Sequence, residues 1–165
     1  MNIYLTRFQN SLSQIIEQKL TNIIQDQECE EYSGFNFQIN NLNLKFRKAK
    51  ITPKKVGQFV TLWRRNIEKQ TEPYNEMDKF DFYVIMTEQQ EKIGLFIFPK
   101  NILVEKNILT TNQKEGKRGF RIYPIWTKTE NKQAERTQNW QINYFVDLTD
   151  NDQKNIEKFK ALINL

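Results

Sequence analysis

The chain has no histidine, a single cysteine and no long apolar run. Without an imidazole there can be no Ser-His or Cys-His dyad and no His-ligated zinc. With Cys29 alone, neither an intramolecular disulfide nor a metal site built from several cysteines can form. No stretch approaches the roughly 18 apolar residues that a membrane span requires. These absences leave carboxylate or lysine chemistry, or binding without chemistry, and we expect a cytoplasmic protein with no membrane contact.

Enough apolar material is present for one folded core. The 165 residues are 38% hydrophobic and include 12 Phe, 6 Tyr and 3 Trp. That length fits one domain, because two cores would each be unusually small. We therefore predict a single domain over residues 1–165.

The spacing of apolar residues predicts an α/β (α+β) fold, with a central mixed β-sheet flanked by helices. Strands are predicted over residues 35–39, 42–51, 59–63, 80–86, 93–98 and 119–123. Helices are predicted over residues 6–27, 99–106 and 132–145, and after Thr149 as the N-cap. Thr52 followed by Pro53 also predicts the start of a short helix.

Positive charge is concentrated in two segments. Residues 45–65 contain eight basic residues and no acidic one, and residues 114–121 contain four basic residues against Glu115. The whole chain has 25 Lys+Arg and 20 Asp+Glu, so the remainder is slightly acidic. A positive face on such a protein typically binds phosphates, because each neutralised phosphate releases counterions. The alternative is a solvated face, or lysines that keep strand edges from pairing with other chains.

Polar and aromatic side chains are interleaved with this charge. Gln58, Trp63, Tyr123 and Trp126 are candidates for stacking on bases or bonding their edges. For Trp63 and Trp126 the alternative is an ordinary place in the core.

Several phrases of the sequence resemble the MepB family of small bacterial proteins. They are FRKAKITPKKVGQFVTLW at residues 46–63, FDFY at 80–83, FIFPK at 96–100, EGKRG at 115–119, and the run from Gln133 to Trp140. The family takes its name from genes beside a multidrug-efflux pump and its repressor, which is gene context rather than an activity. The resemblance implies a restriction-endonuclease-like core of the PD-(D/E)XK type.

Active members of that fold class present an Asp, then an acid-x-Lys, on two adjacent strands. The resemblance aligns Asp81 with the first acid and Lys100 with the lysine, but Phe98 stands where the second carboxylate belongs. One carboxylate makes a poor Mg²⁺ site, because that ion needs charge and several oxygen ligands. We therefore name Asp81 and Lys100 as relict catalytic candidates. A local cap or salt bridge is the alternative for Asp81.

These arguments lead to a nucleic-acid-binding protein with a degenerate nuclease motif, with DNA expected rather than RNA. The chain is expected to act as a monomer without a cofactor or metal. The predicted nucleic-acid-binding residues are Lys50, Thr52, Lys54, Lys55, Gln58, Thr61, Trp63, Arg64, Lys100, Lys117, Arg118, Arg121 and Tyr123. One alternative is a divergent Mg²⁺-dependent nuclease, the only case in which Mg²⁺ is expected. Another is a protein-interaction module, with a protein partner, connected with an efflux locus.

Overall fold

The computed structural model describes residues 2–150 and 152–164, so the first and last residues of the predicted domain lie outside it. The strands in this part of the chain are β1 (Thr21–Gln25), β2 (Phe35–Ile39), β3 (Leu42–Lys48), β4 (Lys50–Ile51), β5 (Gln58–Thr61), β6 (Trp63–Arg65), β7 (Thr71–Pro73), β8 (Phe82–Gln89), β9 (Lys92–Pro99), β10 (Gly119–Ile122) and β11 (Phe145–Asp147). The α-helices are α1 (Ile3–Ile15), α2 (Lys100–Glu105), α3 (Lys132–Gln141) and α4 (Gln153–Leu162). Two short 3₁₀ helices cover Gln27–Tyr32 and Ile142–Tyr144.

A six-stranded sheet of order β1-β2-β3-β8-β9-β11 forms the centre of the fold. Only β3 and β8 run parallel, and the other neighbours in this sheet are antiparallel. A second sheet of order β10-β5-β4 and a two-stranded β6-β7 ribbon accompany it. The predicted mixed α/β fold with a central mixed sheet is therefore confirmed, with two small sheets that the sequence pattern did not separate.

Strand β8 divides the protein into two apolar layers, because its alternate side chains face opposite sides. Phe82, Val84 and Met86 join a core with residues of α1 and α4. Tyr83 and Ile85 join a second core under β5, β10 and α2. The strands predicted over residues 80–86 and 93–98 are confirmed as β8 and β9, and their continuous apolar runs are buried on both faces.

The helix predicted over residues 6–27 is wrong beyond Ile15. Helix α1 begins after Asn2, whose Oδ1 accepts from the Tyr4 amide at 2.9 Å, and the chain then forms the edge strand β1. The β-branched residues of β1 favour this strand, which pairs with β2. The apolar spacing continued past Ile15 but did not mark a buried helix face, since Ile24 is exposed.

Three other helix predictions need correction. Residues 52–57 form turns instead of a helix, because β4 and β5 pair on either side of them and leave too few residues. Helix α3 stops at Gln141, and Phe145 starts a strand beside β9. The last helix is capped by Asp152, while the Thr149 hydroxyl bonds with backbone groups of Ile93. No helix in the described residues is long and apolar enough to cross a membrane.

Candidate functional site

A cleft of about 530 Å³ lies between the 52–57 turns, strand β10 and helix α3. Its cationic lining residues are Lys54, Lys55, Lys106, Lys117 and Arg121, against the single carboxylate of Glu130. The aromatic part of the wall is formed by Phe120, Tyr123 and Trp140. We call this feature the cationic cleft.

Arg121 holds the turns that form one wall of the cationic cleft. Its guanidinium donates to the Val56 carbonyl at 3.2 Å and to the Thr52 hydroxyl. Gly57 completes the wall with φ of +84°, a conformation that favours glycine. A Cβ at this position would lie 2.7 Å from a ring carbon of Tyr123, so a larger residue would also displace that ring.

Gln141 joins the opposite wall, helix α3, to strand β10. It is fully buried, its Oε1 accepts from the Tyr123 amide, and its Nε2 donates to the Arg121 carbonyl, both at 2.9 Å. The side chain of Asn131 caps the start of α3 by accepting from the Ala134 amide at 2.8 Å. The bonds of Gln141 fix α3 against β10, which carries Arg121, and against Tyr123, the residue that follows this strand.

Three of the lysines in the cationic cleft are unpaired. Among the described residues, the side chains of Lys54, Lys55 and Lys117 have no hydrogen-bond or ion-pair partner, and all three are exposed. Lys106 pairs with Glu105 at 3.5 Å and lies 5.5 Å from the centre of the Trp140 ring. Unpaired cations around one concave surface create a positive potential that attracts anions.

Other predicted binding residues lie elsewhere and are paired. Lys50 lies 3.5 Å from a carboxylate oxygen of Glu31 and over the ring of Tyr32. Arg64 contacts the carboxylates of Glu72 and Asp78 at 3.0 and 2.8 Å.

The side chain of Arg118 is also committed. It donates to the carbonyl of Thr71 at 2.9 Å and lies 3.3 Å from the carboxylate of Glu115. Lys117 and Arg118 are adjacent in sequence, but within residues 2–150 and 152–164 the Lys117 side chain has no partner, whereas Arg118 is paired. Sequence alone does not separate two such neighbours.

The polar and aromatic residues predicted on β5 and β6 have structural contacts. Gln58 is only 1% exposed and donates to the carbonyl of Glu88 at 3.2 Å. The carbonyl of Thr61 accepts from the Tyr83 hydroxyl at 2.6 Å. Trp63 is half-buried, with the Arg65 guanidinium 5.3 Å from its ring centre.

The relict catalytic candidates lie where β8 begins and β9 ends. An Asp81 carboxylate oxygen accepts from the Asn43 amide at 2.7 Å, which ties it to the start of β3. Lys100 donates to the Asp78 carbonyl and lies 5.3 Å from the centre of the Phe80 ring. Phe98 is fully buried within the second core. The described residues contain no group of three or more Cys, Asp or Glu side chains that could hold a metal ion.

Two cations on β3 occupy a buried polar cluster that sequence reasoning missed. Arg47 is 0% exposed and forms an ion pair with Asp26. The Lys45 ammonium donates to Asn36 Oδ1 at 3.0 Å and to the Tyr74 hydroxyl at 3.2 Å. Burial, together with the nearby Arg47 guanidinium, lowers the pKa of Lys45 to about 8. Burial also raises the pKa of Tyr74 to about 12.

The site residues therefore divide into two groups. Of the predicted residues, the lining of the cationic cleft includes Lys54, Lys55, Lys117, Arg121 and Tyr123, and Thr52 bonds to one of them. It also includes residues that were not predicted as site residues: Lys106, Glu130, Asn131, Gln133, Thr137, Trp140 and Gln141. Part of that second set lies on the face of α3, where the Gln133–Trp140 phrase of the resemblance was available as an indication.

The fold and the cationic cleft define a small mixed α/β protein with a cationic cleft between a minor sheet and a helix. Residues 26–147 match the MepB-like family model, and the chain belongs to that family. Comparison with curated proteins finds no match.

Two solved structures are similar to this chain. The crystal structure of MepB is 33% identical in sequence, with a TM-score of 0.80 over 91% of this chain and 99% of the other. A bacterial homing endonuclease is 14% identical, with a TM-score of 0.45 over 84% of this chain and 85% of the other. The similarity to MepB agrees with the family. The TM-score to the homing endonuclease is too low to establish a shared fold. The finer nuclease-like core remains a prediction from the resemblance.

Three of the phrases that resemble the family meet at the cationic cleft. Residues 46–63 supply Lys54 and Lys55, residues 115–119 supply Lys117, and the 133–140 phrase supplies Gln133 and Trp140. These phrases are far apart in sequence, yet they line one concave surface. The FDFY phrase instead leads into β8, and the FIFPK phrase ends β9, both at the centre of the sheet.

Proposed function

We propose that this protein binds nucleic acid, with DNA as the expected partner, through phosphates seated at the cationic cleft. The observation that carries the proposal is the convergence of three unpaired lysines, Lys54, Lys55 and Lys117, on one concave surface. Lys106 and Arg121 add positive charge beside them. Phosphate contacts of this kind release counterions and supply affinity without sequence specificity.

The pairing of the other cations narrows the proposed surface. Arg64 and Arg118 already contact carboxylates, so binding a phosphate there would require breaking existing ion pairs. Exposed ion pairs are weak, but they still reduce the local positive potential. The proposed interface is therefore centred on the cleft instead of extending over the whole basic segment.

The contacts around Asp81 support binding without cleavage. Its carboxylate accepts a backbone hydrogen bond from Asn43, which gives it a structural role at the junction of β3 and β8. The side chain two residues before Lys100 is a phenyl ring in the core. Asp81 and Phe98 do not line the cationic cleft.

The test compares two triple variants that remove the same charge. Lys54→Ala/Lys55→Ala/Lys117→Ala removes the unpaired lysines of the cleft. Lys19→Ala/Lys79→Ala/Lys154→Ala removes three exposed lysines that do not line it. Affinity for a fluorescently labelled oligonucleotide is measured by anisotropy at low salt.

The cleft variant is expected to bind at least about tenfold more weakly, because each phosphate contact contributes to the affinity. The control variant should stay within about threefold of the unmodified protein, since only a general electrostatic attraction is reduced. Equal losses in both variants would show that net charge, and not the cleft, causes the binding. If the unmodified protein binds no oligonucleotide at low salt, the proposal is wrong, and a protein partner becomes the next candidate.

A further inference from the structure

The cationic cleft combines cationic side chains, which suit a phosphate, with aromatic side chains, which suit a planar ring. Its volume of about 530 Å³ falls in the range of pockets that enclose small ligands. A duplex is instead bound over an extended surface, and its bases are stacked on each other inside the helix. Only an unpaired base presents its face to a protein side chain.

Trp140 is held firmly in the wall of this cleft. Its ring packs against Phe98, with 5.4 Å between centroids, and the Lys106 ammonium lies 5.5 Å from its centre. The backbone of Tyr123 is held by the hydrogen bond that its amide donates to Gln141, and its ring lies closely against Gly57. Rings fixed in this way lose little conformational entropy when a base packs against them.

Gln133 lines the cleft, and its side-chain carboxamide is available to a ligand. Gln141 uses both of its amide atoms on the backbone of β10 and the residue after it, and Asn131 uses its oxygen to cap α3. Among the described residues, no side-chain partner of Gln133 is found, and the residue is exposed at the cleft. A carboxamide offers a donor and an acceptor, which suits the edge of a base.

We infer that the cationic cleft seats one unpaired nucleotide. Its phosphate and the phosphates next to it contact Lys54, Lys55 and Lys117, its base packs against Trp140, and the base edge bonds to Gln133. This inference rests on the proposed function, and it adds that single strands are preferred to duplexes. The nucleotide belongs to a single strand or is a free nucleoside phosphate, since both present the same chemical groups.

The first experiment compares a short single strand, a blunt duplex of the same sequence, and that duplex with a single-stranded tail. A base stacked on an aromatic ring contributes roughly 1–3 kcal/mol, so the single strand and the tailed duplex should bind about tenfold more tightly than the blunt duplex. A mononucleotide that displaces the single strand at similar concentration would identify the free nucleotide as the ligand of the same seat.

A photocrosslink locates the base. A single strand that carries iodouracil should crosslink to Trp140 or Tyr123, as identified by mass spectrometry. Trp140→Leu should abolish the preference for single strands, and Trp140→Phe should retain most of it, because a phenyl ring still offers an aromatic face. Gln133→Ala should change the preference among bases without changing the dependence on salt, and it provides a surface substitution if Trp140→Leu fails to fold.

The outcomes separate this inference from the proposed function. If duplex and single strand bind equally and the crosslink maps outside the cleft, the seat for a nucleotide is refuted, while phosphate binding by the lysines stands. If no oligonucleotide binds at low salt, both fail. If single strands are preferred but Trp140→Leu and Gln133→Ala have no effect, the preference arises elsewhere and the inference is wrong.

Discussion

Replacing Lys45 by Met should remove a specific dependence of stability on pH. The Lys45 ammonium is mostly buried, and none of the described residues brings a carboxylate into contact with it; the guanidinium of Arg47 lies close by. Its pKa is lowered from 10.5 to about 8 by burial first and by Arg47 second, while Asp26 and Asp78 partly oppose the effect. The difference corresponds to about 3 kcal/mol of destabilisation when the lysine is protonated in both states.

The sign follows from proton binding. Between about pH 8 and pH 10.5 the unfolded chain holds the Lys45 proton and the folded protein releases it, so stability rises with pH in that window. This contribution changes by about 2 kcal/mol between roughly pH 7 and pH 10. Below about pH 8 the destabilisation is present in full. Above pH 10 the raised pKa of Tyr74 acts in the opposite direction, because the unfolded tyrosine ionises first.

The assay is urea unfolding at a series of pH values up to about pH 10. The unmodified protein should gain stability relative to Lys45→Met as the pH rises, by about 2 kcal/mol across the series. Lys48→Met is the matched control, since its pKa is lowered as well but its side chain is less buried. Parallel stability curves for the unmodified protein and Lys45→Met would refute the reasoning.

Two further substitutions test the buried Asp26–Arg47 ion pair and the wall of the cationic cleft at Gly57. Asp26→Ala leaves the fully buried Arg47 without its carboxylate and should cost about 3–5 kcal/mol in urea unfolding. Glu30→Ala, in the 3₁₀ helix that follows Asp26, should cost almost nothing, and equal losses would contradict this reasoning. Gly57→Ala should cost about 1 kcal/mol for its positive φ and should also weaken oligonucleotide binding, because the new Cβ displaces Tyr123. Unchanged unfolding and unchanged affinity would show that the turns adapt without strain.

The central strands could be predicted from the sequence, whereas several helix ends could not. Apolar runs at residues 80–86 and 93–98 predict buried strands because their length and β-branched or aromatic content suit a sheet interior. The Thr52-Pro53 pair predicts a helix start from local preference alone. Pairing of Ile51 with Gln58 overrides that preference, and such pairing depends on contacts between separate segments.

Only part of the candidate site could be predicted from the sequence, because the rest also depends on contacts between separate segments. Charge counts along the chain identify the basic segments, but they do not tell which cations meet acids from elsewhere. Arg64 meets Asp78, and Arg47 meets Asp26 across 21 positions of sequence. Lys54 and Lys55 lie in the turns at the cleft, and within the described part of the chain no acid meets them. Charge counts do not indicate the contribution of α3 through Trp140, since residues 132–145 carry only Lys132 and Arg136 against Glu135.

The most direct test of nucleic-acid binding at the cationic cleft is the salt dependence of oligonucleotide affinity. If the cleft seats phosphates, the logarithm of the association constant should fall linearly with the logarithm of salt concentration. The slope should be about −3 to −5 for the unmodified protein, from roughly 0.7–0.9 per neutralised phosphate. Lys54→Ala/Lys55→Ala/Lys117→Ala should flatten the slope by about 2. A slope that is unchanged by these substitutions, or an affinity that does not respond to salt, would contradict the account.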